Sequence, residues 1–191
     1  MKTLLRSLTF LAAALLVAGC KSKNREILPA EAVNQPVYTK VGMHFDTRRG
    51  RYLMYSTNYL SMPTFVAMGT QLTLESMTGR GITLRDGDGN EYYIDYVAKH
   101  SKMPITEWKD RHFSDTPVAM PEGLSETDRA GIEGGEIRRG MSREGVFLAV
   151  GYPPRSTNPS ESANVLIYEW RRFVRRTVRF DSGGKVDQVG L

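Results

Sequence analysis

Alternation of apolar and polar side chains between residues 70 and 96 is the feature that most constrains the fold of this chain. The segments 70–75, 82–84 and 92–96 each place their apolar residues two positions apart. A two-residue period puts these side chains on one face of a strand, so each segment predicts a half-buried β-strand. Glycine and Asx residues between the segments supply the tight connections that antiparallel neighbours require.

These strands, together with candidates at 37–41 and 51–55, predict a small curled antiparallel sheet, for which an SH3-like barrel is the nearest common form. A short helix is expected from Pro104 to Phe113, with Trp108 as a core anchor. Two prolines and two acidic residues in the segment 114–123 mark a linker. The sequence therefore predicts a β-rich domain over residues 37–113 that ends at this linker.

The loop from Asp86 to Asn90 has two interpretations. Its Asp-Gly-Asp-Gly-Asn sequence matches the beginning of a calcium-binding loop. However, Glu91 stands where that loop requires glycine, and Val97 stands where it requires a bidentate glutamate. Because short strands flank the loop at hairpin spacing, a structural turn is the preferred interpretation.

Cys20 is the only cysteine, and the residues before it have the form of a bacterial lipoprotein signal. Residues 1–19 contain a positively charged start, an apolar run too short to span a bilayer, and two small residues directly before the cysteine. The string Leu-Val-Ala-Gly-Cys20 resembles a lipobox, in which the cysteine sulfur is acylated. We therefore expect 1–19 to be a cleaved signal peptide and Cys20 to carry the lipid. An ordinary signal followed by an incidental cysteine is the alternative.

Lipidation of Cys20 would hold the mature protein at a membrane through its acyl chains. Lys21 follows the cysteine, whereas an aspartate at that position resembles an inner-membrane retention signal. The expected location is therefore the outer membrane, with the folded part facing the periplasm. A flexible tether is expected over residues 20–36, which comprise the lipidated cysteine and a polar segment with two prolines.

Residues 124–191 are expected to form a second domain with two helices followed by three strands. Ser125 and Asp128 fit a capping box at the start of the first helix, and Ser142 fits the N-cap of the second. Gly151, followed by two prolines, predicts a left-handed end to the second helix. The strands are predicted at 165–170, 174–180 and 186–189, with Trp170, Val178 and Phe180 in the core.

The same part of the chain carries a family resemblance. The matching segments, in order, are 137–142, Val146, 151–154, 168–170 and 178–186. They resemble the SmpA/OmlA module of BamE, a small outer-membrane lipoprotein of the β-barrel assembly machinery. The resemblance implies two helices on a three-stranded antiparallel sheet that binds a partner lipoprotein and anionic phospholipid without catalysis. About 100 residues separate the module from Cys20 here, so the chain is expected to be a BamE-like relative with an added domain.

Positive charge is concentrated in the segment 171–179, where five of nine residues are arginine. The formal net charge of the chain is +5, and removal of Lys2 and Arg6 with the signal leaves +3. This is a mild excess, so the position of the charge is more informative than its amount. Arg176 falls on the apolar side of its strand and is expected at the sheet margin or beside a carboxylate.

The other four arginines of this segment are the candidate site. The apolar residues of the strand 174–180 share one face, so Arg175 and Arg179 point away from it. Arg171 and Arg172 lie in or near the preceding turn. Arginine pairs with carboxylate and phosphate in bidentate fashion, so a partner protein or anionic lipid is expected here. A solvated strand face that discourages edge pairing is the alternative, and the export signal argues against nucleic acid.

No pattern typical of an enzyme is present. His44, His100 and His112 lack metal-ligand spacing, and the sequence contains no nucleophile elbow, phosphate-binding glycine loop or HExxH motif. We therefore expect no catalytic site, no metal and no cofactor.

Two functional hypotheses follow for a protein of the α+β class. In the first, the protein is an interaction or scaffolding lipoprotein of the cell envelope, with barrel-assembly components as candidate partners. In the second, the SH3-like domain of a periplasm-facing lipoprotein binds peptidoglycan or a peptide.

Overall fold

Eleven strands and four α-helices form residues 25–190, which are the residues that the computed structural model describes. The predicted signal peptide and Cys20 lie outside these residues. The protein belongs to the mixed α+β class, as the sequence predicted. Within the described residues, no helix has the length and apolar character needed to cross a bilayer.

The N-terminal half contains eight strands, two short helices and one 3₁₀ turn at Ala30–Ala32. The strands are β1 (Gln35–Thr39), β2 (Met43–Arg48), β3 (Arg51–Tyr55), β4 (Thr64–Val66), β5 (Gln71–Thr78), β6 (Gly81–Arg85), β7 (Glu91–Asp95) and β8 (Phe113–Ser114). The helices are α1 (Ala98–Ser101) and α2 (Ile105–His112).

These strands form one curled sheet in the order β4-β2-β3-β7-β6-β5-β1-β8. The prediction of a wholly antiparallel sheet is wrong at one position, because β3 and β7 are parallel, with Tyr52 opposite Tyr92. The chain leaves β3, forms β4 to β6, and returns as β7 between β6 and β3. Parallel neighbours require such a long crossover, which the short-range sequence pattern does not reveal.

Strand β2 was absent from the sequence prediction because its apolar pattern is interrupted. Met43 and Phe45 are buried, as expected for one face of a strand, but His44 between them is buried as well. The His44 ring is covered by the C-terminal half, where its Nε2 lies 2.9 Å from the carbonyl oxygen of Gly135. A strand covered on both faces does not alternate.

Part of the predicted tether over residues 20–36 is bound to the folded body, beginning at Glu26. The Glu26 carboxylate accepts hydrogen bonds from the backbone N–H groups of Ile27, Leu28 and Met77. Glu26 also forms an antiparallel bridge with Thr78, at the end of β5. The part of the predicted 20–36 tether that lies in the described residues is therefore mostly fixed.

The C-terminal half contains α3 (Glu126–Gly134), α4 (Arg143–Val150) and the strands β9 (Val165–Arg171), β10 (Val174–Phe180) and β11 (Val186–Gly190). The three strands form an antiparallel sheet in the order β11-β10-β9. Both predicted helix caps are confirmed, since Ser125 forms a capping box with Asp128 and Ser142 caps α4. Gly151 ends α4 at a positive φ of 76°, but its ψ of −172° differs from the predicted left-handed helical conformation.

Two hydrophobic clusters lie in the two halves. One contains buried residues between Val37 and Phe113, including Trp108 as predicted, and the other contains buried residues between Ile132 and Val186. Backbone hydrogen bonds join the halves directly, as between the Gly42 N–H and the Leu148 carbonyl oxygen at 2.8 Å.

Candidate partner-binding surface

The β9–β10 hairpin positions the four candidate arginines. Arg171 ends β9 opposite Val174, and Arg172 follows it in the two-residue turn. Arg175 and Arg179 lie on β10, and all four side chains are exposed. Arg171, Arg172 and Arg175 are close together at the turn, whereas Arg179 lies at the opposite end of the hairpin, opposite Val165.

The four arginines differ in how far their charge is compensated. The Arg175 Nε lies 3.0 Å from Glu169 Oε1, and the Arg179 side chain donates to the amide oxygen of Gln188. Among residues 25–190, neither Arg171 nor Arg172 has a carboxylate oxygen within 4.0 Å. The uncompensated positive charge of the hairpin is therefore concentrated at its turn.

Arg176 lies on the core side of β10, as the sequence predicted, and it covers an aromatic ring. Its guanidinium carbon lies 3.5 Å from the centre of the Trp170 ring, a cation–π contact. Trp170 is only half-buried at the sheet margin, so its assignment to the core was wrong. The residues that fill this core from β9 are Leu166 and Tyr168.

Phe173 occupies the second position of the hairpin turn and was missed by the sequence reasoning. Its side chain is 88% exposed, and its backbone has a φ of 64°. A positive φ is a genuine outlier for a bulky residue, because its Cβ crowds the neighbouring carbonyl oxygen. The sequence signal was the two-residue connection between 165–171 and 174–180, where glycine or asparagine is usual.

A cleft of about 1160 Å³ separates this turn from the N-terminal half. The hairpin contributes Arg171, Arg172, Phe173 and Arg175 to one wall. The opposite wall includes the end of β2, the segment after β3 and the start of α1. Its members are Asp46, Arg48, Tyr55, Thr57, Tyr59, Ser61, Met62, Pro63, Val97, Lys99 and His100.

Backbone hydrogen bonds fix the two walls relative to each other. The N–H groups of Leu60 and Ser61 donate to the carbonyl oxygens of Glu169 (3.2 Å) and Trp170 (2.9 Å) on β9. Nearby, Asn58 accepts from the His44 N–H at 3.0 Å and donates to the Val150 carbonyl oxygen. Because backbone groups from both halves make these bonds, the cleft is part of the folded scaffold.

The three histidines have separate environments in the structure. His44 is buried beside Gly135, His100 contacts the Ser156 hydroxyl at 3.1 Å, and His112 stacks on Trp108 at 3.8 Å. Within residues 25–190, no group of three or more histidine, cysteine or acidic side chains is arranged to hold a metal ion. The Asp86 carboxylate accepts hydrogen bonds within its own loop, from Asp88 and Asn90.

Burial lowers the pKa of His112 to about 3, against an opposing effect from the hydrogen bond to the Trp108 carbonyl oxygen. The unfolded chain, with a histidine pKa near 6.5, binds more protons between about pH 3 and 6.5. His112 therefore contributes stability that is complete above about pH 6.5 and declines as the pH falls. We expect His112 alone to reduce the free energy of unfolding by about 2 kcal/mol between pH 7 and pH 5.

Urea unfolding at pH 7 and pH 5 would measure this effect, with His112→Gln as the matched variant. Glutamine can still donate a hydrogen bond to the Trp108 carbonyl oxygen but does not titrate. The variant should lose less stability on acidification than the wild type, although burial also lowers the pKa of His44 and leaves a residual decline. Equal losses in the two proteins would contradict the assignment.

Comparison with known proteins adds no relative, since no family model, curated protein or solved structure matches the chain significantly.

Proposed function

We propose that the protein is a non-catalytic lipoprotein of the outer membrane that acts as an interaction or scaffolding module in cell-envelope assembly. The observation that carries the proposal is the uncompensated charge of Arg171 and Arg172 at an exposed turn. Guanidinium groups without an intramolecular acidic partner keep their bidentate hydrogen-bonding capacity for another molecule. Arg175 and Arg179 extend this surface along β10.

The same proposal includes a fold type for each half of the protein. The C-terminal half is a BamE-like ααβββ module, supported by the order of α3, α4 and β9–β11 and by the three-stranded antiparallel sheet. The N-terminal half is an SH3-like domain elaborated by additional strands. On the strength of the family resemblance, the candidate partners are components of the barrel-assembly machinery and anionic phospholipid.

The proposed location follows from the sequence before the described residues. The signal over 1–19 and the lipobox-like string ending at Cys20 support export, acylation and attachment to the outer membrane. A folded body attached in this way would face the periplasm, where β-barrel precursors and cell-wall polymers are both accessible.

Charge reversal of the four arginines tests the proposal. The hairpin variant replaces Arg171, Arg172, Arg175 and Arg179 with glutamate. It should retain its fold, because all four side chains are exposed. It should lose at least tenfold in recovery of barrel-assembly components when the tagged, lipidated protein is purified from cross-linked membranes, since like charges across an interface repel. Quantitative mass spectrometry of the co-purified proteins measures the ratio.

A matched control reverses four charges elsewhere on the surface. Arg49, Arg80, Lys102 and Arg129 are exposed, and the ion pairs of the described residues involve none of them. Their reversal should leave the recovery unchanged. If the hairpin variant recovers the same proteins as the wild type, or if both recover cell-wall fragments only, the scaffold proposal fails. The second hypothesis, binding of peptidoglycan or a peptide by the N-terminal half, would then be favoured.

A further inference from the structure

We propose that the cleft between the β9–β10 turn and the N-terminal half binds an extended acidic segment of a partner protein, with Phe173 as the apolar anchor of the contact. The inference rests on the proposed function and deepens it by naming the chemistry of the partner. Four observations carry it: the charge of the cleft, the conformation of Phe173, the side chains of the opposite wall and the rigidity of the scaffold.

The charge of the cleft is positive on both walls. Arg171, Arg172 and Arg175 line the hairpin side, and Arg48 and Lys99 line the N-terminal side. The acidic lining residues are Asp46 and Glu169, which pair with Arg48 and Arg175 at 3.0 Å each. Five cations and two anions leave a net charge of +3, so a segment rich in aspartate or glutamate is the complementary occupant.

Phe173 is held in an unfavourable conformation without an evident structural benefit. The positive φ costs stability, and the 88% exposed ring gains little from burial within the protein. Its aromatic contact within the described residues is with the Arg172 guanidinium, 4.8 Å from the ring centre. Backbone strain clusters at binding sites, and a few buried anchor side chains dominate the energy of many interfaces, so Phe173 is the candidate anchor of this surface.

The opposite wall suits a polypeptide better than a glycan. Met62 and Pro63 offer aliphatic surface that accommodates apolar side chains of a peptide. Tyr55 and Tyr59 are neighbours, with ring centres 5.2 Å apart, but their planes are tilted by 44°. The two rings therefore do not form a common flat platform on which consecutive sugar rings could stack.

The cleft is preorganised for a ligand. The backbone hydrogen bonds from Leu60 and Ser61 to β9 hold the N-terminal wall beside the hairpin. A rigid site loses less conformational entropy when a flexible segment binds, so most of the entropic cost falls on the partner. An extended chain passing between the walls presents successive side chains to opposite walls, so adjacent pairs of acidic and apolar residues can place both kinds of side chain on each wall.

A synthetic peptide provides a defined probe. It has about eight residues in which pairs of glutamates alternate with pairs of leucines, so that each face carries both residue types, and it is about 26 Å long when extended. Fluorescence anisotropy of the labelled peptide would measure its Kd for the full-length lipoprotein in detergent. The matched control peptide carries lysine in place of each glutamate and should bind at least tenfold more weakly.

Variants of the N-terminal wall separate this inference from the proposed function. Arg48→Glu/Lys99→Glu should raise the Kd of the acidic peptide about tenfold, because it reverses charge on the wall that the hairpin does not provide. Arg49→Glu/Lys102→Glu is the control, since both residues are exposed and neither lines the cleft. If only the four-arginine hairpin variant weakens peptide binding, the cleft inference is overturned while the proposed function stands.

The variant Phe173→Asn separates a binding role of Phe173 from a structural one, because the two roles predict different effects on stability and on peptide affinity. Asparagine tolerates a positive φ, so the midpoint of urea unfolding should stay the same or rise. The Kd of the peptide should nevertheless rise about tenfold, because the anchor is lost. Unchanged peptide affinity in this variant would overturn the role of Phe173.

Phospholipid vesicles test whether the turn binds lipid instead, and the Cys20→Ala form is used because acyl chains on Cys20 would insert into any vesicle. Suppose that phosphatidylglycerol vesicles bind the protein, that Phe173→Asn abolishes this binding, and that the acidic peptide does not bind. The turn would then contact a lipid surface. That result would overturn the proposal of an acidic segment. Peptide binding that persists when the vesicles are present in excess would support it.

Discussion

Replacement of Asp128 by alanine is expected to destabilise the protein by about 4 kcal/mol, because one buried carboxylate accepts hydrogen bonds from the N-cap residues of both helices in the C-terminal half. Its Oδ2 accepts from the N–H and hydroxyl of Ser125, at 3.2 and 2.7 Å. Its Oδ1 accepts from the N–H and hydroxyl of Ser142, at 2.6 and 3.0 Å. The side chain is 2% exposed, so water cannot replace these bonds without structural rearrangement.

Urea unfolding at pH 7 would measure the loss, and two further variants sharpen the comparison. Asp128→Asn keeps the shape but replaces one acceptor oxygen with an amide, so we expect about half the effect. Asp187→Ala removes an exposed aspartate paired with Arg139 at 3.3 Å and should cost less than about 1 kcal/mol. A value for Asp128→Ala similar to that for Asp187→Ala would contradict the proposed role.

The same carboxylate makes the C-terminal half sensitive to acid. Burial by itself raises the pKa of Asp128, but the hydrogen bonds from Ser125 and Ser142 outweigh it, so the pKa lies below its ordinary value. The stability that these bonds provide is therefore present above the unfolded carboxyl pKa and is lost as the pH falls through the folded one. The loss occurs at lower pH than the onset of the His112 effect.

Gly42→Ala is expected to cost about 3 kcal/mol, because the backbone of α4 approaches this glycine too closely for a side chain. An added Cβ would overlap the Ala149 carbonyl oxygen and would lie 2.7 Å from Cε2 of Phe65. To relieve the overlap, α4 must move away and weaken the hydrogen bond between Gly42 and Leu148. The two halves should then unfold less cooperatively.

Gly87→Ala is the matched control, since no heavy atom lies within 4 Å of a Cβ added there and the residue sits in an exposed turn. Calorimetry and urea unfolding should show a near-normal single transition for this control. Gly42→Ala should show a broadened or divided transition and faster proteolysis in the segment 114–123. A single transition of unchanged midpoint in Gly42→Ala would contradict the close-approach argument.

Local signals predicted the C-terminal half well. Ser125 and Ser142 indicate helix N-termini, because a serine hydroxyl before a helix can accept a hydrogen bond from a backbone N–H of the first turn. The turn from Asp181 to Lys185 is specified by its own side chain, since Asp181 Oδ1 accepts from Gly183 and Lys185. Signals of this kind depend on residues a few positions apart, which a sequence displays directly.

The missed features depend on contacts between distant parts of the chain. His44 is buried because it packs against the backbone at Gly135, 91 residues later in the chain. Trp170 lies at the edge of the sheet, where the Arg176 side chain covers one face of its ring. The parallel pairing of β3 and β7 requires a crossover whose route no local pattern encodes. The arginines of the candidate surface could be identified from the strand period, but the wall facing them could not.

The attachment of Glu26 to the end of β5 limits how far the body can stand from a lipid anchor. If Cys20 is acylated, the segment from Cys20 to Glu26 can extend by no more than about 20 Å. The protein would then sample a thin layer above the bilayer with the β5–β6 turn toward the headgroups. Such a short attachment would keep the folded body beside the bilayer, so it would meet other membrane-bound proteins more often than freely diffusing ones.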